Sequence, residues 1–490
     1  MGTDLAHAVF SPDDRVRFRH KVRRGLDVLG GLLDAEVFDT GTGMTGLEIE
    51  MNLVDAAGGP VMRNAELLAD LADPRFQAEL GRFNLELNVP PRHLAADGFG
   101  AFEKEITDAL RTAEERAAKA DSRLALIGML PTLAPDDLVL ANLSAGKRFR
   151  ALNDEIVAAR GEQFPLDIRG VERLRSASGT IVPESACTST QFHLQVAPES
   201  FARYWNASQA VAGAQVALGA NSPFLHGRRL WAETRIVLFE QATDTRPDEL
   251  KEQGVRPRVW FGERWITSVF DLYEENVRFF PPLLPYLSDE DPDGVRTAGG
   301  IPRLAELCLH NGTVYRWNRP VYDVMDGKPH LRVENRVLPS GPTVVDLLAN
   351  AAFYFGVVRR LAEAERPVWS RLDFGTAGAN FRAGARAGLD ATARWPGLGE
   401  VGVVELVLET LLPLAYDGLD RFGVPPVDRD RLLGIIEGRC RSRQNGASWQ
   451  TAAVRAAERR GLSRPDALRE MTLRYLDLQR SNEPVHTWPA

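Results

Sequence analysis

Apolar and polar positions alternate with period two in a few short stretches and recur near every third or fourth residue in most others. The period-two stretches predict strands at 46–54, 82–92, 188–196 and 330–342. The Pro90–Pro91 pair is expected to stop the second of these. Two short apolar runs, "LALIGML" (124–130) and "TRIVLFE" (234–240), also read as strands, buried on both faces. Helical spacing predicts helices over 11–35, 65–71, 101–123 and 201–223, and over most of the chain from about 350 to 485. Residues 241–300 are rich in Pro, Asp and Arg and read as an insertion that elaborates the surface.

Long helices and irregular stretches separate the strands, with no short βα units and no internal repeat. That favours an α+β fold built on an antiparallel sheet. No Ser/Gly linker divides the chain. The expected organisation is a helical extension (1–37), a catalytic domain (38–350) and a helical C-terminal part packed on it (351–490).

The strand pattern carries a chemical anomaly. In "TGLEIEMNLVD" (45–55), Glu48 and Glu50 stand at i and i+2, so both project from one face while Leu47, Ile49 and Met51 project from the other. Like charges so close repel unless a cation lies between them. Glu86 sits among apolar residues in the second strand, with Glu79 seven residues earlier. His193 lies in "FHLQV", and Glu334 in "LRVENRV" with Arg336 two residues on. Carboxylates with one imidazole suit Mg²⁺ or Mn²⁺, and a neighbouring Arg suits a phosphate oxygen.

Composition narrows the function without specifying it. The 490 residues are 44% hydrophobic, with net charge −8 and pI about 5.7, so no global basic field attracts nucleic acid. Three widely spaced cysteines predict reduced thiols in a cytoplasmic protein. Neither a secretory leader nor a membrane span is read from the sequence. "GTGMTG" (41–46) imitates a dinucleotide fingerprint but leads into a strand where that motif needs a helix, so a turn is expected. P-loop, zincin and α/β-hydrolase motifs are absent from the sequence.

"GLEIE", "LELNVPP", "FHLQV", "SPFLHGRRLWAETR" and "LRVENRVLPSGPT" follow one another in an order and spacing that resemble the glutamate–cysteine ligase family, in its bacterial type-2, carboxylate–amine ligase branch. "LIGMLPTL" (126–133), "NFRAGARAGLDA" (380–391) and "RCRSRQNGASWQ" (439–450) extend the resemblance, which covers about 40–240 and 300–450. It implies a glutamine-synthetase-like fold: a curved antiparallel sheet forming a funnel, with helices outside. It also implies ATP- and Mg²⁺-dependent amide formation from an amino acid, with glutamate the expected donor and an amine such as cysteine the acceptor.

By the same resemblance Glu48, Glu79 and Glu86 hold one metal, and Glu50, His193 and Glu334 another. Arg336 meets the transferred phosphoryl group, while Arg228 and Arg235 bind a substrate carboxylate. Trp317 and Arg319 are binding candidates or a cation–π packing pair, and Lys147 is a phosphate candidate or a solvated loop residue. One departure stands out: the branch commonly carries H-x-H where this sequence has "QFH", so Gln191 replaces the first histidine. Alternative readings are a phosphotransferase of related fold, like the guanidino kinases, or a non-catalytic nucleotide- or partner-binding relative. Small-molecule substrates are expected, with neither nucleic acid nor membrane as partner, and a homo-oligomer stays open.

Overall fold

The computed structural model of the chain describes residues 10–41 and 43–489. Its centre is one antiparallel sheet of seven strands: β1 (Met44–Asp55), β2 (Phe76–Ala78), β3 (Asn84–His93), β4 (Ser122–Ala125), β5 (Ser189–Gln195), β6 (Asn318–Met325) and β7 (Lys328–Pro339). The order is β6-β7-β5-β1-β3-β2, with β4 paired to the C-terminal end of β1. The sheet curls into a half-barrel with helices around it, the α+β fold the sequence predicts.

Alternation decides which face is which. Leu47, Ile49 and Met51 of β1 share the core with Leu85 and Leu87 of β3, Phe192 and Leu194 of β5, and Leu331 and Val333 of β7. Helices Gly98–Ala118, Pro198–Gly219 and Val344–Ala362 pack over this sheet and its core. Each such large side chain, fully buried, contributes about 1.5–3 kcal/mol. A one-residue slip of β1 would exchange them for Glu48 and Glu50, so burial fixes the register that aims the acids the other way.

The apolar face also holds a chain of buried amides. The Asn318 amide donates to Gln209 Oε1 at 2.6 Å, and Asn335, directly opposite it, donates to Asn318 Oδ1 at 2.7 Å. Gln215 and Asn335 exchange bonds of 2.6 and 3.1 Å. Two glutamines of helix Pro198–Gly219 thereby grip paired positions of β6 and β7.

Several expectations need correction. "TRIVLFE" is a helix, Thr234–Ala242, whose first six residues are all buried. An element apolar on every side gives no periodicity by which to tell helix from strand. β3 runs through Pro90 and Pro91 to His93, because β1 and β3 shift register between Thr45 and Leu47. At such a bulge the missing N–H groups leave no ladder bond unmade. The strand at "LALIGML" is only Ser122–Ala125.

A boundary after 350 cuts helix Val344–Ala362. Phe18, Val22 and Leu29 of helix Pro12–Asp34 join the same core as β1. The 41–46 glycines lead straight into β1, although Thr42 lies outside the described residues. Among the described residues, no helix is long and apolar enough to cross a membrane.

Candidate active site

The polar face of the sheet is a set of cross-strand rows. Glu50 lies opposite Glu86, and Glu86 opposite Gln77 of β2. Glu48 lies opposite Asn88 on one side and Gln191 on the other. His193 lies opposite Glu334, and Glu334 opposite Arg319. All of these side chains except Asn88 line a cavity of about 830 Å³.

At one end Glu50, Glu79 and Glu86 each offer a carboxylate oxygen within 4.8 Å of the others. Ser189 donates to both oxygens of Glu50, from its N–H at 2.6 Å and its hydroxyl at 2.9 Å, and Gln191 Nε2 donates at 3.0 Å. The Leu80 N–H holds Glu79 at 3.0 Å, and Asn88 holds Glu86 at 2.8 Å. Burial and the charge of Glu79 push Glu50 up to about 7. Burial raises Glu79 too, and burial with Glu48, Glu79 and Glu50 nearby raises Glu86 well above the carboxylate range. Three hard oxygen donors that resist sharing negative charge fit a divalent cation such as Mg²⁺ or Mn²⁺.

In the adjoining group, Glu334 is paired by two guanidiniums. Arg319 binds Glu334 through two parallel bonds of 2.8 and 2.7 Å, and Arg336 adds a third at 2.5 Å. Burial opposes the charge on Glu334, but Arg319 and Arg336 hold it well below the usual range. Nε2 of His193 lies 3.1 Å from Glu48 Oε1 without hydrogen-bond alignment, and its Nδ1 accepts from Arg332 Nε at 3.2 Å. Against its burial, His193 draws Glu48 down to about 2. A buried ring nitrogen without an aligned partner, facing a carboxylate, fits a second cation in the same cavity.

Glu48, Glu50, Glu79, Glu86, His193, Glu334, Arg319 and Arg336 are therefore brought together. The grouping differs from the resemblance. Glu50, directly across from Glu86, joins Glu79, whereas Glu48 sits with His193. Gln191 joins the two groups, donating to Glu50 while its Oε1 accepts from Arg336 Nη1.

Four expected binding residues stand elsewhere. Arg228 belongs to a two-residue strand at the surface, 3.6 Å from Glu172. Arg235 is buried against Glu233 at 3.1 Å and donates to the Val337 carbonyl, with its guanidinium over Trp317. Trp317 packs on Phe239 and Phe381 in the core, so its cation–π partner is Arg235 and not Arg319. Lys147 is exposed at the start of helix Lys147–Arg160, and its neighbour Arg148 reaches the cavity.

The sequence reading missed Glu184, Arg148, Tyr273, Tyr286, Ser288 and Tyr315 as lining residues. Most lie on turns or in the 241–300 insertion, where no alternating pattern marks them. That insertion is thus part of the cavity wall as well as the surface.

Residues 44–424 match the model of glutamate–cysteine ligase family 2. No curated protein matches the sequence. The structure resembles glutamate–cysteine ligase from Francisella tularensis in complex with AMP, at 13% identity and TM-score 0.52, over 91% of this chain and 90% of that one. It is also similar to a bifunctional glutathione synthetase from Pasteurella multocida, at 14% identity and TM-score 0.49, over 94% of this chain and 55% of that one. A third likeness is to the complex between the prokaryotic ubiquitin-like protein Pup and its ligase PafA, at 10% identity and TM-score 0.41, over 91% and 73%. Fold, site and family match define an ATP-dependent carboxylate–amine ligase. The chain belongs to glutamate–cysteine ligase family 2.

Proposed function

We infer that the enzyme joins the carboxylate of an amino acid, glutamate, to an amine through an acyl phosphate, in the cytoplasm. The observation that carries this reading is the convergence of Glu50, Glu79 and Glu86 beside Arg336 in one cavity. The substrate carboxylate attacks the γ-phosphorus of ATP, and ADP leaves with the electron pair of the broken P–O bond. The amine then displaces phosphate from the activated carbonyl.

Mg²⁺ or Mn²⁺, held by Glu50, Glu79 and Glu86 and by Glu48 with His193 and Glu334, would supply positive charge for the phosphate oxygens. Arg336, fixed in direction by Glu334 and Gln191, presents a guanidinium to the phosphoryl group in transfer. Arg319, paired with Glu334 at the cavity wall, lies within reach of the substrate. With Arg228 at the surface and Arg235 in the core, the donor carboxylate is assigned instead to the wall guanidiniums Arg148, Arg303 and Arg332.

A phosphate-release screen tests the reading, with ATP, Mg²⁺ and glutamate constant and the amine varied. Release that depends on one amine, with an amide product, is expected. Absence of stimulation by every donor–acceptor pair would remove the ligase assignment for glutamate.

A further inference from the structure

The cavity continues past the acid cluster to the short turn Val182–Ala186, which presents Glu184. Among the described residues this side chain has neither a hydrogen bond nor an ion pair. It lines the same cavity as Glu50, Glu79 and Glu86 without belonging to that trio.

Cys187 and Tyr315 lie close enough to feel the charge of Glu184. The Tyr315 ring packs on Phe239 at 5.2 Å, and both line the cavity together with Phe149 and Leu152. Cys187 is itself a protonated thiol, because burial and Glu184 raise it well above the usual range. An unpaired carboxylate in the cavity that also holds the acid trio and Arg336 matches a primary ammonium group.

We propose that Glu184 binds the ammonium group of the acceptor and takes its proton, which makes the amine nucleophilic. This rests on the ligase reading above. One N–H proton passes to the Glu184 carboxylate. The freed nitrogen pair forms the C–N bond to the acyl phosphate, and the C–O bond to phosphate breaks with its electrons on the leaving oxygen. A second N–H proton departs with the phosphate, giving the amide, hydrogen phosphate and a protonated Glu184.

Hydroxylamine separates this role from the rest of catalysis, because it is uncharged at neutral pH and needs no base to become nucleophilic. Wild type and Glu184→Gln are compared with ATP, Mg²⁺ and glutamate, using hydroxylamine in one arm and the best amine of the screen in the other. The variant is expected to keep hydroxamate formation within a few-fold and to lose amine ligation by at least about 100-fold, the scale of a general base. Its residual amine rate should climb with pH further than the wild-type rate, as the free amine becomes available. Equal losses in both arms would make Glu184 a structural residue, and two unchanged arms would deny it any role; either overturns the proposal. A wild-type enzyme that forms no hydroxamate at all would instead overturn the ligase reading, and this proposal with it.

Discussion

Glu50 and Glu86 face each other directly across β1 and β3, and among the described residues neither carboxylate forms an ion pair. With Glu79 they form the group of carboxylates that could hold a metal ion. Glu86→Gln should lower Mg²⁺-dependent phosphate release by more than the roughly 10–100-fold that loss of an outer-shell partner costs. In chelator the same change should raise the melting temperature at alkaline pH, where Glu86 would otherwise be forced to ionise beside Glu48, Glu79 and Glu50. A variant that turns over ATP normally would exclude the trio as ligands.

The acid cluster also sets a pH dependence. Glu50 is held up at about 7 and Glu184 at about 8, against about 4.3 in an unfolded chain. Groups raised in the folded state contribute stability that is full below the unfolded value and lost as pH rises through the folded one. In chelator, the melting temperature should therefore fall between about pH 5 and 8. Glu48, drawn down to about 2, loses its contribution only as pH falls toward that value, outside this window. Mg²⁺ should restore the lost stability, so melting curves with and without it should separate as pH rises. Parallel curves would show that no cation binds the cluster.

Gln191 accepts from Arg336 and donates to Glu50, which requires both ends of an amide. Gln191→Glu removes the donor and sets a fourth acid against Glu50. Phosphate release should drop about 10–100-fold, with a higher Mg²⁺ requirement. Gln191→His, which keeps one donor and one acceptor, should recover part of the rate. If all three enzymes match in a Mg²⁺ titration, the bridge has no role.

Arg228 and Arg235 lie seven residues apart and should respond in opposite ways. Arg228→Ala removes an exposed partner of Glu172 and should change stability by no more than about 1 kcal/mol, with activity unchanged. Arg235→Ala strands the buried Glu233 and empties the space over Trp317. A loss of about 3–5 kcal/mol is expected in denaturant unfolding. Equal stability of the two variants would contradict the placement of Arg235 in the core.

The acids were legible because strands declare their faces. Glu48, Glu50, Glu86, His193 and Glu334 all interrupt period-two apolar patterns, and alternation alone turns them toward one side. Their partners were not. Whether Glu50 or Glu48 joins Glu79 depends on strand register, and a single sequence does not encode which residues oppose one another. Glu184 and Tyr286 occupy irregular segments, where position follows from tertiary packing. The error at "TRIVLFE" has the same origin, since complete burial removes the contrast on which periodicity depends. Arg228 and Arg235 were assigned from one short shared motif, and the two side chains diverge to surface and core.

The amide chain linking Gln209, Asn318, Asn335 and Gln215 bears on the order in which the enzyme is assembled. On the cavity side β6 and β7 are joined by the Arg319–Glu334 pair, while Glu50, Glu79 and Glu86 repel one another elsewhere on the sheet. The directional bonds on the reverse side add to that link, and they are complete without any ion. The vessel is therefore built before it is filled: chelation should leave the far-ultraviolet circular dichroism unchanged, and a cation arriving late should meet a finished mould.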